Sequence, residues 1–172
     1  MSDWNTDGFA KTEDLHQTVL DSFAAAIQAA LHGADLDARV YERLPVLLGT
    51  ETVEPDLLIC SSEQVTDAGC TGIPDWIVEV TSPETASDAF EKKPHRYLGA
   101  GVRECWIVDP DAGQVITYCA MKDHFHTHIY RFGDTIPVDA FSGITVDTSR
   151  AIRRAVPRRT LPPQADAIDE IC

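Results

Sequence analysis

Two carboxylates stand inside or at the mouth of strongly apolar runs. Asp56 precedes Leu57-Leu58-Ile59-Cys60, and Glu79 lies between Ile77-Val78 and Val80. A carboxylate in such a setting is costly to bury unless a cation pairs with it. A hard divalent metal is one such cation. Two carboxylates facing each other from neighbouring strands offer the oxygen ligands that Mg2+ accepts, with waters and a substrate phosphate filling the other positions. The plainer reading is two unrelated edge or turn acids. The segment Asp88-Ala89-Phe90-Glu91-Lys92-Lys93-Pro94-His95-Arg96-Tyr97 brings cations soon after Glu79. A lysine beside an attacking water can orient it or neutralise charge on a phosphate, although a solvated helix face has the same composition. Finally, His124, His126 and His128 alternate and so fall on one face of a strand. Three imidazoles there could hold zinc or nickel, or simply decorate a half-exposed strand. Glycine-rich phosphate loops, Gly-x-Ser-x-Gly elbows and His-Glu-x-x-His pairs do not occur in the sequence.

These residues need elements to place them. Residues 13–32 carry Leu15, Val19, Leu20, Phe23, Ala26, Ile27, Ala30 and Leu31 at helical spacing, with Gly33 as a stop. Residues 39–46 and 53–60 read as strands, the second ending in an apolar run suited to a central, two-sided position. Residues 61–72 have a loop's composition, and residues 75–80 form another β-rich run broken by Ser82-Pro83. A helix is expected from Ser87 to near Gly99, its regular part beginning near Lys92 or Lys93 because Pro94 fits early in a helix. Residues 104–108 restore an apolar strand, and residues 114–121 and 124–132 read as consecutive antiparallel strands. Strand, helix, strand and then hairpins predict an α/β fold of the α+β kind, a mixed sheet flanked by helices.

The chain of 172 residues is expected to form a single domain over residues 1–160, with a loosely ordered tail over residues 161–172. No window approaches 18 apolar residues and the start lacks a basic and then apolar stretch, so a cytoplasmic protein with no membrane segment is expected. The five cysteines are odd in number and lack a Cys-x-x-Cys pair, which predicts buried, reduced thiols. A net charge of −14 excludes binding nucleic acid by bulk attraction. The charge is uneven. Residues 1–90 hold 3 basic and 17 acidic residues, leaving 11 of each for residues 91–172. Arg150, Arg153, Arg154, Arg158 and Arg159 crowd the later part, either as a local foothold for a polyanion or as a solvated balance to the acidic half.

The order of these pieces is more specific than any one of them. His16-Gln17 on the first helix precedes Val53-Glu54-Pro55-Asp56-Leu57. Then follow the run from Pro74 through Glu79 to Pro83, Lys93-Pro94-His95-Arg96-Tyr97, and the run from Gly101 to Pro110. In this order the chain resembles the Uma family of restriction endonucleases, a branch of the PD-(D/E)XK nuclease superfamily, over about residues 13–146. The resemblance implies a restriction-endonuclease-like core and a metal-dependent DNA endonuclease that hydrolyses phosphodiester bonds. Asp56 would be the aspartate of the first half-motif and Glu79 the acid of the second. Both would ligate Mg2+, with Mn2+ able to substitute and the Val80 carbonyl as a further ligand. The superfamily's usual lysine position, two residues after the acid, is Thr81 here. The resemblance moves that lysine to the following helix, as Lys93 or, one residue out of register, Lys92. Glu13 or His16 would support a metal water, and Asp88 is the acid four residues before Lys92. DNA is the expected substrate and a homo-oligomer, a dimer, the expected assembly. The rival reading is a nuclease-like fold without turnover that binds DNA or protein. Tyr97 and Trp106 read as core aromatics.

Overall fold

The computed structural model describes residues 7–149, with side chains from Leu15 onward. The arginine-rich segment and the expected tail therefore lie outside the described residues, as do Cys172 and the side chain of Glu13. Helix α1 spans Asp7–Gly33. Strands β1 (Arg39–Glu42), β2 (Val46–Leu48), β3 (Glu51–Val53) and β4 (Leu57–Cys60) follow. A 3-10 turn over Ser62–Gln64 then leads into β5 (Val65–Thr66) and β6 (Gly69–Cys70). Next come β7 (Trp76–Val80), α2 (Ala86–Glu91), α3 (Lys93–Gly99), β8 (Glu104–Asp109), β9 (Gln114–Ala120) and β10 (Phe125–Arg131). Strands β11 (Thr135–Val138) and β12 (Ile144–Asp147) complete the order.

The main sheet runs β1-β4-β7-β8-β9-β10, with β7 and β8 parallel and the other pairs antiparallel. It is a mixed sheet with helices on both faces. Val19, Leu20, Phe23, Ile27 and Leu31 form the apolar stripe of α1. They bury Leu57, Ile59, Trp76, Val78, Trp106 and Val108 on one face, with Ile136 and Val146 of β11 and β12 joining that core. The alternate residues Leu58, Cys60, Ile77, Cys105 and Ile107 pack on the other face against Ala89 of α2 and Tyr97 of α3. The central strands β4 and β7 are buried on both faces, which is why they read as continuous apolar runs. Cys60, Cys70, Cys105 and Cys119 are buried free thiols.

Several expected elements are divided. The strand expected over residues 39–46 becomes β1 and β2, because Arg43 adopts a left-handed φ of 47° and Pro45 has no N–H to pair. Pro55 similarly parts β3 from β4. Residues 61–72, expected to be a loop, hold the 3-10 turn and the β5–β6 hairpin of a second sheet ordered β3-β2-β6-β5. Gly69 belongs there for a steric reason. At φ +126° a Cβ would lie 2.2 Å from the Pro45 carbonyl oxygen, which accepts from the Cys70 N–H at 2.7 Å. The helix expected from Ser87 is two segments, α2 and α3, meeting at Lys92 just before Pro94. Strands β11 and β12 pair antiparallel in a region where no element was expected.

Candidate active site

Strands β4 and β7 pair with Leu57 opposite Val78 and Leu58 opposite Ile77. One further step of that register sets Asp56 beside Glu79 at the same end of the sheet. Asp56 leaves the regular strand there and turns its carboxylate onto the next peptide. Its Oδ2 accepts from the Val80 N–H at 2.8 Å, satisfying a backbone donor at the end of β7. His16 reaches the same spot from α1. Its Nε2 lies 2.9 Å from the Val80 carbonyl oxygen and 3.6 Å from Asp56 Oδ2.

Glu79 is only 3% exposed. Lys93 Nζ donates to its Oε2 at 2.8 Å, and the Tyr97 hydroxyl donates to its Oε1. Lys93 and Tyr97 stand four residues apart on α3, so one helix face delivers both donors. Burial pushes the Glu79 carboxyl above the usual range. The Lys93 ammonium and the Tyr97 hydroxyl pull it back, while the Asp56 charge pushes it up again. Burial and the neighbouring Glu79 charge raise the Tyr97 phenol far above its ordinary value, so it stays a donor. Lys93 keeps partial solvent access, leaving its side chain 34% exposed.

The structure thus gathers Asp56, Glu79, the Val80 carbonyl, Lys93 and His16. It places Lys92 and Asp88 elsewhere. Lys92 Nζ pairs with Asp88 at 2.7 Å on the open surface, their side chains 71% and 64% exposed. A one-residue step along a helix turns a side chain by about 100°, which separates the two lysines. Neither Lys92 nor Asp88 belongs to the cluster. Thr81 is buried, and its N–H donates to the Val108 carbonyl at 2.8 Å.

Two functional-looking residues escaped the sequence reading. Tyr97 was expected to serve only the core, yet its hydroxyl holds the central carboxylate; the four-residue spacing from Lys93 was the available signal. Glu104 is a second buried carboxylate, 0% exposed. It accepts from Trp106 Nε1 at 2.5 Å and from the Ala140 N–H at 2.7 Å, and burial pushes its carboxyl up to about 7. Trp106 keeps its expected core place, edge-on to Trp76 with ring centroids 4.6 Å apart.

The profile of the Uma2 family, described as "Putative restriction endonuclease", matches residues 9–149. The chain belongs to this family. Among solved structures, this Uma2 protein is similar to a "putative nuclease belonging to DUF820" from Anabaena variabilis ATCC 29413. The two share 18% identity at a TM-score of 0.66, over 83% of this chain and 82% of that one, which shows a common fold. The type IIG restriction endonuclease BpuSI aligns at a TM-score of 0.39 and 15% identity, over 60% of this chain and 12% of that one. No curated protein matches the chain. Among the described residues of this Uma2 protein, no helix is long and apolar enough to cross a membrane.

The donor set decides which metal the cluster could accept. No group of three or more His, Cys, Asp or Glu side chains suited to a metal occurs among the described residues. Zinc, which favours a complete set of nitrogen or sulfur ligands, is therefore not matched by the cluster of Asp56 and Glu79. Two carboxylates and a backbone carbonyl, all oxygen, match Mg2+, which commonly keeps its waters and takes one or two carboxylates plus a substrate phosphate.

Proposed function

We propose that this Uma2-family protein is a Mg2+-dependent DNA endonuclease that hydrolyses phosphodiester bonds. The observation that carries the reading is the meeting of Asp56 and Glu79 from adjacent strands with the Lys93 ammonium 2.8 Å from Glu79. Two carboxylates and a phosphodiester repel by about 1 kcal/mol per charge pair at about 4 Å in water, and by more in a cleft of lower effective dielectric. DNA therefore needs a cation in this cleft. Asp56, Glu79 and the Val80 carbonyl would hold Mg2+, or Mn2+ in its place. Bound there, the ion supplies charge neutralisation, polarisation of the phosphoryl oxygen and acidification of a water.

The chain's own residues have distinct tasks. Lys93 donates to the water that attacks in line and to the phosphoryl oxygens as charge develops on them. A new O–P bond forms, the bond to the leaving sugar oxygen breaks, and that oxygen takes up a proton. Tyr97 keeps the Glu79 carboxylate aimed, and the Val80 N–H does the same for Asp56. His16 supports this edge from α1 by its contact with the Val80 carbonyl.

One observation favours a second reading, a DNA- or protein-binding module without turnover. Most cations near the cleft already have partners: Lys93 is held by Glu79, Lys92 sits against Asp88, Arg96 sits against Glu51 at 3.3 Å, and Arg43 bonds the Gln17 side chain. Little free positive charge is left there to draw in a polyanion. Buried like charges favour the enzyme, because a scaffold gains nothing from them.

The test is incubation of the pure protein with plasmid and single-stranded DNA in Mg2+ or Mn2+, beside Asp56→Ala and Glu79→Ala. Cleavage by the wild type and its loss in both variants is the expected result. Cleavage that persists in both overturns the assignment of the site. No cleavage of either substrate, together with no calorimetric Mg2+ binding, selects the binding module.

A further inference from the structure

Strand β10 is an edge of the main sheet, hydrogen-bonded only to β9 among the described residues. His126 and His128 lie on it and His124 immediately precedes it, and all three are exposed. Their rings form a row. The centroids of His124 and His126 are 5.6 Å apart and those of His126 and His128 are 6.0 Å apart, with Tyr130 continuing the row at 6.3 Å from His128. Residues opposite the row on β9 are uncharged: Cys119 faces His126 and Thr117 faces His128. No cation from the neighbouring strand opposes a metal there.

We propose that this histidine row is a transition-metal site in which two adjacent imidazoles chelate one divalent ion of the Ni2+, Cu2+ or Zn2+ class, with water completing its shell. Metal–nitrogen bonds of about 2.1 Å, in a tetrahedral arrangement, put the centroids of two ligating rings about 5 Å apart. The spacing of 5.6 Å needs only a small ring rotation to close on an ion, and the spacing of 6.0 Å a larger one. The three imidazoles do not form a group of three that could hold one ion together. Binding is therefore by pairs, and His126, the member common to both pairs, is the indispensable ligand. Imidazole nitrogen prefers these borderline ions to Mg2+, whereas the all-oxygen cluster at Asp56 and Glu79 has the opposite preference.

The two sites are separate. β10 lies three strand spacings from β7, about 14 Å at roughly 4.8 Å each. The histidine row continues the face that carries Val115, Trp106 and Val108, whereas Glu79 lies with Ile77 and Ile107 on the opposite face. Substitutions in the row therefore leave the carboxylate cluster untouched, and the proposal stands or falls independently of nuclease activity.

Calorimetric titration of the untagged full chain with Ni2+, in excess Mg2+ to occupy the carboxylate cluster, tests it. Wild-type protein is expected to bind one ion. His126→Ala should lose at least about tenfold in affinity, as the removal of a ligand requires. His124→Ala and His128→Ala should each lose clearly less, because one intact pair remains. Wild-type affinity in His126→Ala overturns the proposal, as does an absence of Ni2+ binding. An equal loss in all three variants also overturns it, because that pattern belongs to three convergent ligands.

Discussion

The Tyr97 hydroxyl donates to Oε1 of Glu79, a carboxylate that is almost wholly withdrawn from solvent. The bond gives a buried anion a partner on the side that Lys93 does not reach. Tyr97→Phe keeps the ring and removes the donor. One Glu79 oxygen is then left desolvated without a hydrogen bond, at a cost of about 1–3 kcal/mol. Urea denaturation should show a loss of that size. Calorimetry should show weaker Mg2+ binding, because a carboxylate that has lost a donor is more readily protonated. Unchanged stability and unchanged Mg2+ affinity would mean that the hydroxyl is idle.

The two adjacent lysines should behave very differently. Lys93 contacts Glu79, whereas Lys92 meets only Asp88 in open solvent. Removing a preorganised donor to a phosphoryl transition state costs on the order of 10²–10³ in rate. Lys93→Ala should lose that much cleavage, and Lys92→Ala should stay near wild type. Initial rates on supercoiled plasmid measure both. The reverse pattern would transfer the role to Lys92.

Much of this arrangement was legible in the sequence. The apolar stripe of α1 and the two-sided runs of β4 and β7 announce themselves by period, and an acid among such residues stands out by its cost. What was hidden depends on contacts between distant segments or on small rotations. Lys92 and Lys93 differ by one residue, and only the start of α3 at Lys93, beside Pro94, settles which one faces the sheet. Tyr97 belongs to the core by its ring and to the site by its hydroxyl, and sequence pattern reports only the ring. Glu104 follows Arg103 and resembles a solvated strand end. Its backbone donor, Ala140, lies 36 positions away. β11 and β12 are four residues each, with Pro137 at the centre of one, too short for alternation to be read.

Glu104 gives the fold a pH dependence whose sign is fixed. Burial raises its carboxyl from its ordinary value of about 4.5 to about 7 in the folded state. Between those limits the folded protein holds a proton that the unfolded chain has released. The stabilisation is complete below the unfolded value and is lost as pH rises through about 7. A shift of this size corresponds to about 3 kcal/mol. Urea denaturation at intervals from pH 5 to 8 should show stability falling over that window. Glu104→Gln should be less stable at low pH, because an amide cannot accept from both the Trp106 ring and the Ala140 N–H, and its slope should be flatter. A slope that is identical in the variant would assign the pH dependence to other groups.

Asp56 separates metal binding from folding more cleanly than Glu79 does. Its carboxylate is partly exposed and accepts one backbone hydrogen bond, from Val80, which an asparagine side-chain oxygen can also accept. Asp56→Asn should therefore fold, and should lose the charge that Mg2+ requires. A ligand that binds only the folded state stabilises it by about 2.7 kcal/mol at one hundred times its dissociation constant. Thermal unfolding of the wild type should accordingly shift upward by several degrees as Mg2+ is raised, and chelation should reverse the shift. Asp56→Asn should melt at nearly the wild-type temperature without Mg2+ and should not respond to it. If the variant responds as the wild type does, Asp56 is not a ligand. If neither protein responds, the carboxylate cluster holds no Mg2+ in the absence of DNA, and the same titration repeated with a bound oligonucleotide shows whether the phosphate completes the site.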